Sequence, residues 1–317
     1  MADGSGVESP GRVEHYAGAS QNPNSLFAST AKRRMGQPQH LFRMTMAKRG
    51  LRSATVFLGG GRITGALAAG LRLAGDQRAM IVHDRHPEKL RALRRESRVQ
   101  MARDLKSAVE QAEMLIVAVR PSSVKEMLAE VAARGAQPPE LCISLAAGIP
   151  LRNLRRWLGG PVRWVRAMPS PVCRIGRGLT PVCFDRGATK KDRSLVRRMF
   201  ERVGPVLELN EAQMDAITAT HSPTHGYHAL RTLVQAAQSA GLDGKTALIA
   251  AAHALSDGIE YWRESGEKLE DLLAEAATPG GIAAATMAAM DEAGYKRAVT
   301  IGIRAGVQQA RRNAIRR

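Results

Sequence analysis

At 317 residues the chain is long enough for two domains with separate cores. With 44% hydrophobic and 24% charged residues it lacks the composition of a disordered chain, and no apolar run reaches the roughly 18 residues that would span a bilayer, so no membrane partner is expected. The formal net charge of +18 raises nucleic acid as a partner, but the arginines are scattered over helical segments (Arg91, Arg94, Arg95, Arg155, Arg156, Arg197, Arg198) and only 4% of residues are aromatic, so a solvated basic surface and no nucleic-acid partner are expected.

Residues 1–52 are rich in Ser, Gly, Asn, Gln and Pro without apolar periodicity and read as a disordered N-terminal arm. Asp3, Glu8 and Glu14 argue against a transit peptide, and Met44 or Met46 could equally be the start. Next comes the stretch around which the chain is organised. Ala54 to Leu58 is a short apolar strand, Gly59-Gly60-Gly61 a tight turn, and Arg62-Ile63 the opening of an amphipathic helix. Glycines let the backbone turn sharply and approach a pyrophosphate, while the free N–H groups of the helix N-terminus face its charge. Gly59 and Gly61 fill the first two places of the dinucleotide fingerprint, and Thr64 stands where a third glycine or alanine would allow close helix–sheet contact. A branched side chain at Gly61 should occupy the pyrophosphate space and block the turn.

A second buried strand, Ala79 to His83, ends at Asp84, the spacing the fingerprint requires for an acidic group on a ribose hydroxyl. Arg85 and Lys89 are equally placed for the 2′-phosphate of NADP, so both NADP and NAD stay open as cofactor. Helix-like and strand-like segments then alternate to about Leu209, the pattern of an α/β parallel sheet covered on both faces. They are a helix at 104–112, a strand at 114–119, a helix from Ser123, a strand at 141–144, a helix at 151–157, strands at 162–168 and 179–184, a basic helix at 192–202, and a strand at 205–209. Ligands in such sheets sit at the carboxyl ends of strands, which nominates Gly59, Gly61, Arg62, Ile63, Asp84, Arg85, Val119, Arg120, Pro121, Ala146, Met168 and Ser170 as cofactor-binding residues. Cys142, Cys173 and Cys183 lie in or beside apolar segments, which fits buried thiols in a reducing cytoplasm.

Beyond Glu211 the strand signal stops. Alanine-rich helical segments at 213–220, 227–240, 245–264, 269–277 and 282–317 are separated by Pro223, Gly241 to Gly244, Gly266 and Pro279-Gly280-Gly281. Such helices need a packing partner, and a homodimer or higher homo-oligomer is expected. The domains are thus a dinucleotide-binding unit at 53–210 and a helical dimerisation and substrate unit at 211–317. His221, His225, Thr224 and Tyr227, at the start of this unit, are the candidates for polarising a substrate or supplying a proton. His221, His225 and His228 have metal-like spacing, but Pro223 interrupts the helix and no carboxylate joins them, so no metal is expected.

The order of motifs resembles pyrroline-5-carboxylate reductase, from about Thr55 to near the C-terminus. The carrying stretches are Phe57 to Gly61, Ala118 to Pro121, Ser144 to Ile149, Arg166 to Pro169, Gly176 to Thr180, Met214 to Ala219 and Pro279 to Gly281. The resemblance implies a Rossmann-type doubly wound sheet followed by an all-α dimerisation domain. It further implies a substrate site between the two and NAD(P)H-dependent reduction of the C=N bond of a cyclic imine, the last step of proline biosynthesis. The departures fall at the substrate end. Ser170-Pro171-Val172 replaces an Asn-Thr-Pro, Arg120 replaces a lysine, the loop 221–227 replaces Ser-Gly-Ser-Gly-Pro-Ala-Tyr, and Ile282-Ala283 replaces two threonines expected to hold a carboxylate. The expected function is therefore imine reduction with an altered substrate, or a dinucleotide-binding paralogue without pyrroline-5-carboxylate turnover.

Overall fold

The computed structural model describes residues 53–315, so the expectation of a disordered arm at 1–52 lies outside the described residues. The first half alternates strands and helices. It runs β1 (Ala54–Leu58), α1 (Arg62–Leu73), β2 (Met80–His83), α2 (Pro87–Ser97), β3 (Gln100–Met101), α3 (Leu105–Glu110), β4 (Ala112–Val117), α4 (Val124–Ala133), β5 (Leu141–Ser144), α5 (Leu151–Leu158), β6 (Arg163–Ala167), β7 (Thr180–Phe184), α6 (Lys190–Phe200) and β8 (Val206–Glu208). The second half is helical: α7 (Met214–Thr220), α8 (Thr224–Ser239), α9 (Gly244–Ser265), α10 (Leu269–Ala276), α11 (Ile282–Glu292) and α12 (Tyr295–Ile315).

The eight strands form one sheet in the order β3-β2-β1-β4-β5-β6-β7-β8. The chain therefore winds outward from β1 in both directions, leaving a crevice where the order reverses, between β1 and β4. Alternation along each strand decides which side chains face which helices. Val56 and Leu58 join Leu115, Cys142 and Trp164 on one face, closed by Leu105, Leu128, Val131 and Leu154 from α3, α4 and α5. Phe57 joins Val82, Ile116, Ile143 and Val165 on the other, closed by Leu67, Leu71, Leu90 and Phe200 from α1, α2 and α6. Most of these side chains are fully buried, each contributing roughly 1.5–3 kcal/mol.

Three expectations change in detail. The sheet is parallel except that β7 runs antiparallel to β6. The connection between them holds no crossover helix, only a 3-10 turn at Pro171–Ile175, and Met168 and Ser170 continue the pairing through N–H bonds to Pro181 O (2.9 Å) and Leu179 O (3.1 Å). A hairpin-like return can join only antiparallel strands. The short β3, too brief to show a period, is an addition at the edge. The segment 282–317 is two helices rather than one, because Gly294 adopts φ 84° between α11 and α12.

The helical half meets the sheet at few places. Met214 of α7 is fully buried in the first core cluster. Arg166 of β6, also buried, reaches Glu211 Oε1 and Asp215 Oδ1, each at 3.3 Å, and Glu211 Oε1 accepts the Leu151 N–H at 2.6 Å. In contrast α8, α10 and α11 have no buried residue, and Leu248, Ile249, Leu269, Met290 and Ile301 are exposed. No helix of the described residues is long and apolar enough to cross a membrane.

Candidate functional site

A cleft of about 780 Å³ crosses the carboxyl ends of β2, β1, β4 and β5. Gly59, Gly60, Gly61, Arg62, Ile63, Asp84, Arg85, Val119, Arg120, Pro121 and Ala146 line it, so ten of the twelve nominated cofactor residues are brought together with Gly60. Met168 and Ser170 are absent from the lining. The Met168 carbonyl instead faces His221 Nε2 at 2.8 Å, and Ser170, buried, accepts the Val172 N–H on its hydroxyl at 3.4 Å. The side chain of Lys89 lies outside the described residues.

The turn is built by two side chains and one unusual backbone. Gly59 has φ +113°, and a Cβ there would lie 2.8 Å from Ala118 O, so only glycine fits. Thr64, fully buried, donates its hydroxyl to Gly59 O at 2.6 Å and fastens the turn from below, which is how this chain replaces the third glycine. Asp84 accepts the N–H of Gly60 on Oδ2 at 2.7 Å and that of His86 on Oδ1 at 2.9 Å, tying the end of β2 to the glycine turn. The expectation that a side chain at Gly61 would block the turn is corrected. Gly61 has φ −77° and ψ −177°, open to any residue, and a Cβ there meets nothing within 4 Å. The space in front of it belongs to the cleft.

Helices α3, α6 and α9 are capped by Asp104, Thr189 and Asp243. Helix α1 has no side-chain cap and no acidic residue in its first turn, so its N-terminal N–H groups are left for something in the cleft. The lining carries Arg62, Arg85, Arg120, His83 and His86 against the single carboxylate of Asp84, a balance that attracts an anion. Burial holds the His83 ring below its ordinary value, outweighing the opposing pull of Glu130, Asp84 and Asp104. His83, Ser123, Met127, Leu145 and Ala147 also line the cleft and were not nominated. His83 ends β2, one residue before Asp84, and that adjacency was the available signal; the others come together only through the crossovers.

The four catalytic candidates are not in this cleft. His221 closes α7 with Nδ1 2.7 Å from Ile217 O and Nε2 2.8 Å from Met168 O, so both ring nitrogens face main-chain carbonyls. His225 Nε2 lies 2.7 Å from Ala219 O, Thr224 Oγ1 accepts the Ser222 hydroxyl at 3.0 Å, and Tyr227 is exposed. Pro223 separates α7 from α8, which puts His221 on a different helix from His225 and His228. No group of three or more His, Cys, Asp or Glu side chains among the described residues could hold a metal ion. Near the other expected substrate contact, Gly281 caps α11 and its N–H is taken by Thr278 O at 2.9 Å, while Ile282 stands 91% exposed. The buried thiols offer no nucleophile: burial pushes Cys173 up to about 12 and Cys183 up to about 11.

Comparison with known proteins matches two parts of the chain. Residues 55–148 match the family model described as NADP oxidoreductase, coenzyme F420-dependent, and residues 211–313 match that described as pyrroline-5-carboxylate reductase dimerisation. A pyrroline-5-carboxylate reductase of Mycobacterium tuberculosis is 28% identical over 273 residues, covering 78% of this chain and 92% of the relative. That of Mycobacterium leprae is 29% identical over 272 residues, with the same coverage of 78% and 92%. In fold, the chain is similar to a solved pyrroline carboxylate reductase of Plasmodium falciparum with NADP bound. That likeness has a TM-score of 0.74 at 19% identity and covers 84% of this chain and 100% of the other.

Proposed function

We propose that this chain, which belongs to the pyrroline-5-carboxylate reductase family, uses NADH or NADPH to reduce the C=N bond of a cyclic imine such as 1-pyrroline-5-carboxylate. The observation that carries the reading is the uncapped N-terminus of α1 over the glycine turn, opening onto a basic cleft at the strand-order reversal. A pyrophosphate fits there: even a Cβ added at Gly61, which lines the space, would meet nothing within 4 Å. Gly59 and Gly60 provide the close backbone approach, Arg62 and Ile63 the amide N–H groups, Asp84 and Arg85 the adenosine end, and Arg120, Pro121 and Ala146 the nicotinamide end.

A reduced nicotinamide bound in this cleft supplies hydride. The chain has to orient the acceptor, keep water away and leave a proton at the nitrogen. A cyclic imine is partly protonated near neutral pH, so little acid catalysis is required, in keeping with a His221 whose ring is engaged by two carbonyls. His225, Thr224 and Tyr227 face outward on one chain, and so do many apolar side chains of α8 to α12, among them Leu248, Ile249, Leu269, Met290 and Ile301. A second copy packed on this surface would bury both and complete the substrate pocket. We place the reaction in proline biosynthesis and in the cytoplasm, the latter in keeping with three buried cysteine thiols that form no disulfide.

The test is NADH and NADPH oxidation with pyrroline-5-carboxylate, paired with sedimentation. Turnover by an assembled protein supports the reading. Dinucleotide binding with no oxidation by any cyclic imine would mark a binding paralogue instead, the reading that Ile282 and Ala283, with no hydroxyl for a carboxylate, favour.

A further inference from the structure

We propose that the last turns of α12 position the nicotinamide end of the dinucleotide, acting through the Ala146-Ala147-Gly148 turn, with Asn313 as the positioning residue. The proposal rests on the dinucleotide reading of the cleft and assigns a role there to a helix that never enters it. Ala146 and Ala147 form the end of the cleft at β5. In strand order β2-β1-β4-β5, three spacings, roughly 14–15 Å, separate them from the β2 end and Asp84. A ligand whose adenosine sits at Asp84 and whose pyrophosphate sits over α1 therefore brings its other end to this turn.

The far side of the turn is covered by α12. Ala310 is the only buried residue among the described side chains of that helix, and what it meets is Gly148. Gly148 has φ +77°, and a Cβ there would fall 1.9 Å from Ala310 O, so the two backbones are in direct contact and no side chain fits between them. One turn on, Asn313 Nδ2 donates to Ala147 O at 3.2 Å, and Asn153 Nδ2 of α5 donates to Ala314 O at 3.3 Å and ties the helix end down. From the sheet side, Ser144 Oγ accepts the Ala146 N–H at 3.3 Å. The turn is thus held between the strand that feeds it and a helix some 160 residues later in the chain. Among the described residues nothing comparable from the helical half reaches the cleft lining at the Asp84 end, where Asp84 accepts the N–H groups of Gly60 and His86. Losing the Asn313 bond frees one end of the cleft and leaves the other as it was.

That asymmetry supplies the experiment. Asn313→Asp keeps the shape of the side chain and removes the donor; Asn313→Ala serves as a second variant should the first fold poorly. Each is titrated with NADH and with ADP-ribose, which carries the adenosine, pyrophosphate and second ribose but no nicotinamide. We expect NADH to bind roughly two- to tenfold more weakly, the span of one neutral hydrogen bond, and ADP-ribose to bind as to the natural protein. Equal weakening of both ligands would mean general loosening of the domain and would overturn the proposal, as would unchanged NADH affinity. If the natural protein binds neither ligand, it is the dinucleotide reading itself that falls.

Discussion

Exchanging either of two glycines of one turn, Gly59 or Gly61, should separate stability from binding. At Gly59 the backbone sits at φ +113°, and an added Cβ lies 2.8 Å from Ala118 O and 2.9 Å from its carbon. The left-handed backbone costs an L residue about 1–2 kcal/mol, and the overlap with a β-sheet carbonyl, which cannot swing away, adds about 1–3 kcal/mol. Gly59→Ala should therefore destabilise by about 2–5 kcal/mol, lowering the melting midpoint by roughly 5–15 °C in a protein of this size. At Gly61 the backbone is ordinary and the Cβ meets nothing within 4 Å. Gly61→Val should leave the melting midpoint within about 3 °C of the natural value, since reduced freedom of the unfolded chain offsets any small cost. Its methyl groups, however, project over the N–H groups of Arg62 and Ile63 where a pyrophosphate would sit. Losing two or more charge-assisted hydrogen bonds at about 1.5–3 kcal/mol each predicts at least a hundredfold loss of dinucleotide affinity. Calorimetric melting and NADH titration by protein fluorescence read the two effects separately. A Gly61→Val protein that binds NADH normally would refute the placement of the pyrophosphate, and with it the reading of the whole cleft.

Three other outcomes are expected. Asp84 is pinned by two backbone N–H groups and cannot swing away from a 2′-phosphate; two unit charges about 4 Å apart at an effective dielectric of 20 repel by about 4 kcal/mol, which Arg85 offsets in part. NADH should thus be preferred over NADPH by tenfold or more in kcat/KM, roughly 1.4 kcal/mol, and Asp84→Ser should shrink the ratio; a natural preference for NADPH would contradict this. Changing Ile282 and Ala283 together to Thr should raise kcat/KM on pyrroline-5-carboxylate, because it restores hydroxyls beside the exposed start of α11; no gain would show that the carboxylate is held elsewhere. Burial works against ionisation of Asp192, but hydrogen bonds from Arg163 and Thr189 outweigh it and hold the carboxyl below its ordinary value, and Asp76 is held down in the same way by Arg78. Each contributes stability that is present above the unfolded carboxyl range and lost as pH falls through the folded value. The melting midpoint should therefore drop below about pH 4, and less steeply in Arg163→Met, as thermal unfolding across pH would show.

The sequence by itself determined the sheet, the crevice and most of its lining. Strand periods at Ala54–Leu58, Met80–His83 and Leu141–Ser144 and the glycine cluster between Leu58 and Arg62 are local signals, and a parallel sheet has to place the ends of such strands side by side. Local signals could not reveal that β7 turns back against β6, since its direction depends on pairing between Met168-Ser170 and Leu179-Pro181 rather than on any period. They could not show that Asp84 is spent on Gly60, or that Thr64 ties down Gly59, because these bonds exist only once β2, the turn and α1 have been packed. The histidines at 221, 225 and 228 looked chemically apt from composition alone, yet the fold turns the His221 ring into a link between α7 and the end of β6. More remote still is the contact of Gly148 with Ala310, in which a missing Cβ in one half of the chain has its reason in a helix at the end of the other. A glycine in sequence says that a side chain is absent; only the tertiary structure says which atoms needed the space.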